Sequence, residues 1–332
     1  MSAFGTKRGM RGSPIGVLNF FGASGSNIEG DHMIKRRAFL AGGLGAVALG
    51  AVALGAVAVG IQATGAANAA DNSLSGAFAE LPGVKLWFTD SGGTGVPLIL
   101  LHANTGTSAV WANQVESFSR AGYRVIAFDR RGWGKSMANP ATGSQPGSIA
   151  GDLDALAEHL KLDKFHLLGV AGGGFAALDY AAWRPEKLRS LVIAASTGQM
   201  ADKEIADFIA RLEIPGLRKL PAVYREVGPS YRGANPDGTT RWIEIEEHAR
   251  QAEASDQPLR TPNTFAKIET IPTPTLILAA DADLLAPPAL MLAWAAHMKK
   301  HEWAVVTDAG HAIAWEQPEI FNAKVLEFIQ RH

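Results

Sequence analysis

Continuous apolar runs alternate with amphipathic stretches over the last three-quarters of the chain. Val84–Thr89 alternates apolar and polar residues, which predicts a half-buried strand. Asp90-Ser91-Gly92-Gly93 then breaks it, as at a hairpin. Pro97–Leu101 is apolar throughout, as expected of a strand covered on both faces, and Arg124–Phe128 is the next strand. Between them Trp111, Val115 and Phe118 recur at helical spacing, and Ile149–Leu160 reads as an amphipathic helix. Phe165–Leu168, Leu188–Ala195, Thr275–Ala280 and Glu302–Val306 are further strands, and Pro318–Ile329 a closing helix. Strands alternating with helices predict an α/β fold, a doubly wound, mostly parallel sheet with helices on both faces. Gly198–Pro262 breaks the alternation. It carries helical stretches at Ala201–Leu212 and Thr239–Ala254, punctuated by Pro215, Pro221, Pro229 and Pro236. An insertion of this length between two strands predicts a helical lid at about residues 198–262, over the carboxyl ends of the strands.

The first part of the chain has a different character. Met1–Asp31 is rich in glycine and serine, and residues 1–32 are expected to be disordered or untranslated, Met33 being a natural start. Met33–Leu40 is basic, an alanine/glycine/valine run continues to Ile61, and Ala67-Asn68-Ala69 supplies small residues for cleavage. The pair Arg36-Arg37 with Phe39-Leu40 resembles a twin-arginine signal, so residues 33–69 read as a signal peptide of that type. A membrane anchor is the competing reading, because the run is long enough to span. Its alanine and glycine content and the A-x-A site favour cleavage. The mature protein is then 70–332, periplasmic or secreted. Its export machinery is a transient partner, and no stable membrane anchor is expected.

Composition narrows the function. A net charge of −1 argues against nucleic acid as a partner. With no cysteine there is neither disulfide nor thiolate chemistry. No cluster of His, Asp and Glu has metal-ligand spacing, so no metal and no cofactor is expected, only a small-molecule substrate or ligand.

The most informative stretch is Phe165–Asp179, where an apolar strand runs through Gly169-Val170-Ala171-Gly172-Gly173 into a helix. This is the frame of a nucleophile elbow, G-x-S-x-G, with Ala171 at the position of the nucleophile. Ligands of parallel sheets lie outside the carboxyl ends of the strands, and His102, Ala171, Ser196, Asp283 and His311 all fall at such ends. Ser196 and Thr197 are candidate substitute nucleophiles, and Asp281 and Asp308 are rival acids. Tyr224, Tyr231, Arg232 and Trp242 are candidates to shape a pocket from the lid, Trp242 equally a helix-packing residue with Ile245 and Ala249.

In chain order, His102-Ala103-Asn104, Asp129-Arg130-Arg131-Gly132-Trp133-Gly134-Lys135-Ser136, the elbow, Asp283 to Pro287 and Gly310-His311 resemble the α/β-hydrolase superfamily. The likeness spans Leu81–His332 and is closest to the capped esterase, lactonase and C–C hydrolase branch. It implies Asp283 as acid and His311 as base. It implies oxyanion donors in the backbone N–H groups of Gly172 and of Ala103 or Asn104. His102 orders its loop, and the Asp129–Ser136 stretch is a structural turn. The family pattern fails at Ala171. Three explanations stand: a serine esterase inactivated by Ser→Ala, an enzyme using the Asp283–His311 dyad without a covalent intermediate, or a non-catalytic binding protein that has lost its triad.

Overall fold

A computed structural model describes residues 75–332; the expected signal segment and everything before it lie outside the described residues. Nine strands form one sheet: β1 (Ser75–Leu81), β2 (Val84–Asp90), β3 (Pro97–Leu101), β4 (Arg124–Phe128), β5 (Met137–Ala138), β6 (Phe165–Val170), β7 (Leu188–Ala194), β8 (Thr275–Ala280) and β9 (His301–Val306). Their order is β1-β2-β4-β3-β6-β7-β8-β9, with the short β5 beside β2. From β4 to β9 all pairs are parallel, and β1 and β2 extend the sheet antiparallel. The α/β sheet expected from the apolar runs is therefore present.

The hairpin differs from its expectation. β2 pairs with β1 across the tight turn at Pro82-Gly83, in register from Leu81 opposite Val84 to Ser75 opposite Asp90. Asp90-Ser91-Gly92-Gly93 instead leads into β3. Ser75–Leu81 lies in a small-residue stretch, Ser-Gly-Ala-Phe-Ala-Glu-Leu, whose strand character comes from its partner more than from its own residues.

Each face of the sheet carries its own apolar layer. One is built on Ile99, Phe165, Leu167, Tyr180 and Trp294, the other on Leu98, Leu100, Trp111, Phe118 and Phe321. Between β3 and β6 the chain reverses its direction of winding, since β4 lies on one side of β3 and β6 on the other. The carboxyl ends of these two strands flank a topological switch point, where open α/β sheets form their ligand crevice.

Between β7 and β8 lie helices Lys203–Leu212, Ala222–Glu226, Pro229–Ala234 and Pro236–Glu247. The last ends at Glu247, earlier than the Thr239–Ala254 stretch predicts, and irregular chain follows to Thr264. That chain is tied to the Asp129–Ser136 turn by Gly134 N–H to Ala249 O (2.7 Å), Gln251 N–H to Gly132 O (3.0 Å) and Gln251 Nε2–H to Ser136 O (2.8 Å). The turn is structural, as expected. Asp129 accepts from the N–H of Ser108 and of Lys135, and Arg131 forms a buried two-point pair with Asp152, Nε–Oδ2 3.2 Å and Nη2–Oδ1 2.6 Å.

The entry of β6 into its helix is a close approach near the switch point. A Cβ at Gly173 would sit 2.3 Å from the carbonyl oxygen of Leu101 on the neighbouring β3. Because that obstacle is backbone, a side chain there forces β3 and the helix apart. Gly173→Ala is expected to destabilise the protein by about 1–3 kcal/mol, read as a lower urea midpoint at unchanged m-value.

Candidate active site

Ala171 follows the end of β6 and caps the next helix with φ +47° and ψ −114°, a conformation that costs a residue with a Cβ about 1–3 kcal/mol. The turn is over-determined by hydrogen bonds. Ala171 N–H donates to Ala194 O (3.0 Å), and Ala171 O accepts from Gly174 N–H (3.0 Å) and from the Ser196 hydroxyl (2.8 Å). Ser196 Oγ also accepts from Gly198 N–H at 3.2 Å, and the residue is fully buried. Ser196 thus braces the elbow and is no substitute nucleophile, while Thr197 only bonds its own loop.

Gly172 is the first residue of helix Gly172–Trp183, so its N–H has no acceptor within the helix. Beside it runs the loop after β3, held from several sides. His102 is fully buried. Its Nδ1 lies 2.7 Å from Ala103 O and its Nε2 accepts from Arg130 N–H at 3.1 Å. A carbonyl only accepts and an amide N–H only donates, so the ring is the neutral Nδ1–H tautomer. Burial first, then the charge of Arg130, holds its pKa well below the ordinary histidine value. His102 therefore orders the loop, as the sequence suggests, and both its nitrogens are committed. Asn104 is fixed in turn by Trp133 Nε1–H on its carbonyl (2.7 Å) and by Arg130 Nη1 on its Oδ1 (2.9 Å).

Asp283 and His311 meet across the ends of β8 and β9, with His311 Nδ1 2.8 Å from Asp283 Oδ2. Asp283 is buried, and its other oxygen accepts from the N–H groups of Leu285 and Ala286. The rival acids Asp281 and Asp308 are exposed. Burial alone would lower the His311 pKa. The charge and hydrogen bond of Asp283, then the carboxylates of Glu226 and Glu316, outweigh it and hold His311 at about 9. Burial would likewise raise the pKa of Asp283, but His311 and the two backbone donors bring it below the usual carboxylate value. At neutral pH the pair is an imidazolium–carboxylate. With Nδ1 on Asp283, Nε2 is left for the cavity that His311 lines.

Two cavities adjoin the elbow. A small one of about 40 Å³ is lined by His311, Val170, Ala103, Thr105, Glu226 and Trp242, among mainly apolar neighbours. A polar chamber of about 480 Å³ is lined by Asn104, Gly172, Arg130, Glu246, Arg250 and Asp256, among others. Thr105 borders both. Trp242 joins Ala222, Val223 and Val227 in the small core of the helical segment and lines the smaller cavity. Tyr224 is exposed, and neither Tyr231 nor Arg232 lines either cavity.

Two residues escape a reading of the sequence. Glu226 is buried, accepts from the Thr105 hydroxyl at 2.6 Å, and through its backbone carbonyl accepts from Ala312 N–H at 2.9 Å. Glu316 Oε2 accepts from Gly228 N–H and Gly310 N–H, both at 2.9 Å, bolting the helical segment to the loop of His311. Glu226 has no local signature. Glu316 follows Gly310-His311 at a fixed distance, but only the fold shows that it spans two loops.

The His311 pKa has a stability consequence with a definite sign. A histidine raised from about 6.5 unfolded to about 9 folded stabilises fully below pH 6.5, and that contribution disappears as pH rises through 9. The stability advantage of the wild type over His311→Gln is therefore expected to shrink steadily between pH 6.5 and 10 in urea titrations. A constant difference over that range rules out the ion pair.

Residues 96–213 match the family model described as the alpha/beta hydrolase fold. A 2-hydroxy-6-oxononadienedioate/2-hydroxy-6-oxononatrienedioate hydrolase of Burkholderia vietnamiensis is 28% identical over 274 residues, covering 75% of this chain and 92% of that protein. Among solved structures, a thermophilic esterase from Thermogutta terrifontis superposes with a TM-score of 0.65 at 25% identity, covering 77% of this chain and 98% of its own. An enol-lactonase from Burkholderia xenovorans shares the fold, with a TM-score of 0.63 at 20% identity over 76% of this chain and all of the other. With the elbow, the Asp283–His311 pair and the sheet order in place, residues 96–213 match the α/β-hydrolase family and the chain is similar to its esterases and C–C hydrolases.

Proposed function

We propose that the protein acts on a small carbonyl compound, an ester, a lactone or an activated C–C bond, through the Asp283–His311 dyad and without an acyl-enzyme. The observation that carries this reading is the 2.8 Å His311–Asp283 contact beside an elbow whose apex is alanine. The side chain of Ala171 has no atom that can attack a carbonyl. The proton-handling pair and the backbone donors need no serine, and an acid, a base and an oxyanion site suffice for water attack.

In this scheme neutral His311 takes a proton from water through Nε2 as the water oxygen bonds to the carbonyl carbon. The carbonyl oxygen gains the negative charge, facing the N–H of Gly172 and that of Ala103 or Asn104. On collapse the bond to the leaving group breaks, and the Nε2 proton passes to that group. Asp283 stabilises the imidazolium formed between the two steps. Because His311 rests protonated below about pH 9, kcat/KM is expected to rise with pH through that value. The helices between β7 and β8 serve as the cap over this site. Glu226 and Glu316, which reach from it or to it, support that role.

The decisive comparison uses the mature protein, Ala171→Ser, and Ala171→Ser with His311→Ala, on short aryl esters and small lactones. Ala171→Ser is expected to raise ester hydrolysis by about 10³-fold or more, and the second change to remove the gain. That expectation rests on the cost of losing such a serine in a protease, on the order of 10⁶ in kcat. If Ala171→Ser gains nothing, a formed serine-hydrolase site is ruled out, and the site is shaped for other chemistry or for binding alone. A parent protein that is wholly inert while Ala171→Ser is active favours an inactivated serine esterase.

Export forms part of the same proposal and rests on Arg36-Arg37 and the apolar run that follows. Replacing both arginines by lysine is expected to leave the protein in the cytoplasm on cell fractionation. Unchanged export would overturn the twin-arginine reading.

A further inference from the structure

The polar chamber beside Gly172 holds an arginine that the proposed chemistry does not use. Arg130 is 4% exposed, and its Nη1 is committed to Asn104 Oδ1 at 2.9 Å. Its Nε and Nη2 are buried and have no hydrogen-bond partner among the described residues. These two nitrogens form one edge of the guanidinium, the edge that takes a carboxylate in two parallel bonds. The same edge is filled elsewhere in this protein. Arg131 uses Nε and Nη2 on Asp152 (3.2 and 2.6 Å), and Arg184 uses them on Asp154 (3.3 and 3.1 Å). Arg130 presents the fork without the acid.

A buried charge without a partner is costly, and the chain keeps this one in place by other means. The guanidinium carbon lies 4.2 Å from the centre of the Trp133 ring, a cation–π contact that favours the charged form. Burial, then the charge of Arg250, lowers its pKa to about 9, while Asp256 acts the other way. Of the charged groups that line the chamber with it, Asp256 is already paired with Arg250 at 2.9 Å, and Glu246 lies in the helix Pro236–Glu247. Asn104 joins this arginine to the elbow. The oxygen that accepts from Arg130 would stand 2.2 Å from a Cβ on Gly172, so guanidinium, carboxamide and elbow lie in one row.

We propose that the chamber is a carboxylate-binding subsite, in which the Nε–Nη2 edge of Arg130 takes the acid group of a small oxo acid. A modest rotation of the guanidinium brings the edge out of the chamber wall to meet it. The row through Asn104 places the acid group a few bonds from a carbonyl at the Gly172 N–H. The volume of about 480 Å³ suits a molecule of that size. The inference rests on the function proposed above only in placing the reacting carbonyl; the anion site itself does not depend on it.

The test is calorimetric titration of the mature protein with 4-oxopentanoate and with 2,5-hexanedione, its neutral isostere. The acid is expected to bind at least about tenfold more tightly, the scale of one charge-assisted two-point contact. Arg130→Gln is expected to abolish that preference, Arg130→Lys to reduce it, and Arg250→Gln to leave it intact. Equal affinity, no binding of either compound, or a preference that survives Arg130→Gln overturns the proposal. So does a preference lost on Arg250→Gln, which would place the acid at the rim. Should Arg130→Gln fail to fold, the Nε–H nuclear magnetic resonance signal of Arg130 in the wild type decides. It must move on adding 4-oxopentanoate. If it instead moves on Glu246→Gln without ligand, the chain's own acid fills the fork and the proposal falls. Binding that holds while Ala171→Ser stays inert removes the reaction reading alone, and the reverse result removes the subsite alone.

Discussion

The structure turns on one constraint, the sharp exit of β6 at Ala171. The strand must end, reverse and start a helix within two residues, beneath the carbonyl of Leu101 and beside the side chain of Asn104. That requirement imposes the positive φ, the glycines that follow and the bracing hydroxyl of Ser196. None of these depends on what side chain stands at the apex. A strained turn held by its surroundings persists when its nucleophile position is alanine, because the strain is maintained by packing and hydrogen bonds elsewhere. The N–H of Gly172 is thereby aimed by the backbone alone.

Electrostatics is organised around that turn in two separate ways. On one side lies an acid-rich group. Asp283, Glu226 and Glu316 surround His311 and keep it charged despite burial. Glu316 and the Glu226 carbonyl also fasten the His311 loop to the helical segment, so the position of the imidazole and the seating of those helices are mechanically one problem. On the other side lies Arg130, with one acceptor for three directions of donation. Ala103 and Asn104, between the two, belong to a loop that neutral His102 locks to the backbone of Arg130. A change at His102 is thus transmitted to both regions without any proton transfer at its ring.

How much of this the sequence displays depends on the range of each interaction. β3, β4, β6, β7 and β8 are legible because burial on both faces demands mainly apolar runs. Asp283, His311 and Ala171 are legible because strand ends in a parallel sheet converge. β1 is not, since Ser-Gly-Ala-Phe-Ala-Glu-Leu takes its conformation from pairing with β2. The end of helix Pro236–Glu247 is misplaced for a similar reason: after His248 the chain is drawn into bonds with Gly132, Gly134 and Ser136 that local propensity cannot foresee. Arg130 and Arg131 are adjacent and chemically identical in sequence. Only the fold shows that one finds Asp152 and the other finds no acid. The buried position of Glu226 likewise follows from how its helix lands on the His311 loop.

The alanine at the apex changes what the dyad can do more than it changes the dyad's geometry. With a serine present, Nε2 of His311 accepts from its hydroxyl, and the first bond made to substrate is covalent. Without it, that nitrogen faces a cavity, and the raised pKa makes the imidazolium the resting form. A resting acid suits protonation of a leaving carbon or oxygen, while the base form needed for water attack is scarce at neutral pH. The site is thus biased toward the protonated ring, which serves departure of the leaving group, while the proposed water attack needs the deprotonated form. An anionic group held by Arg130 would strengthen that bias, since negative charge beside the site further stabilises the protonated ring.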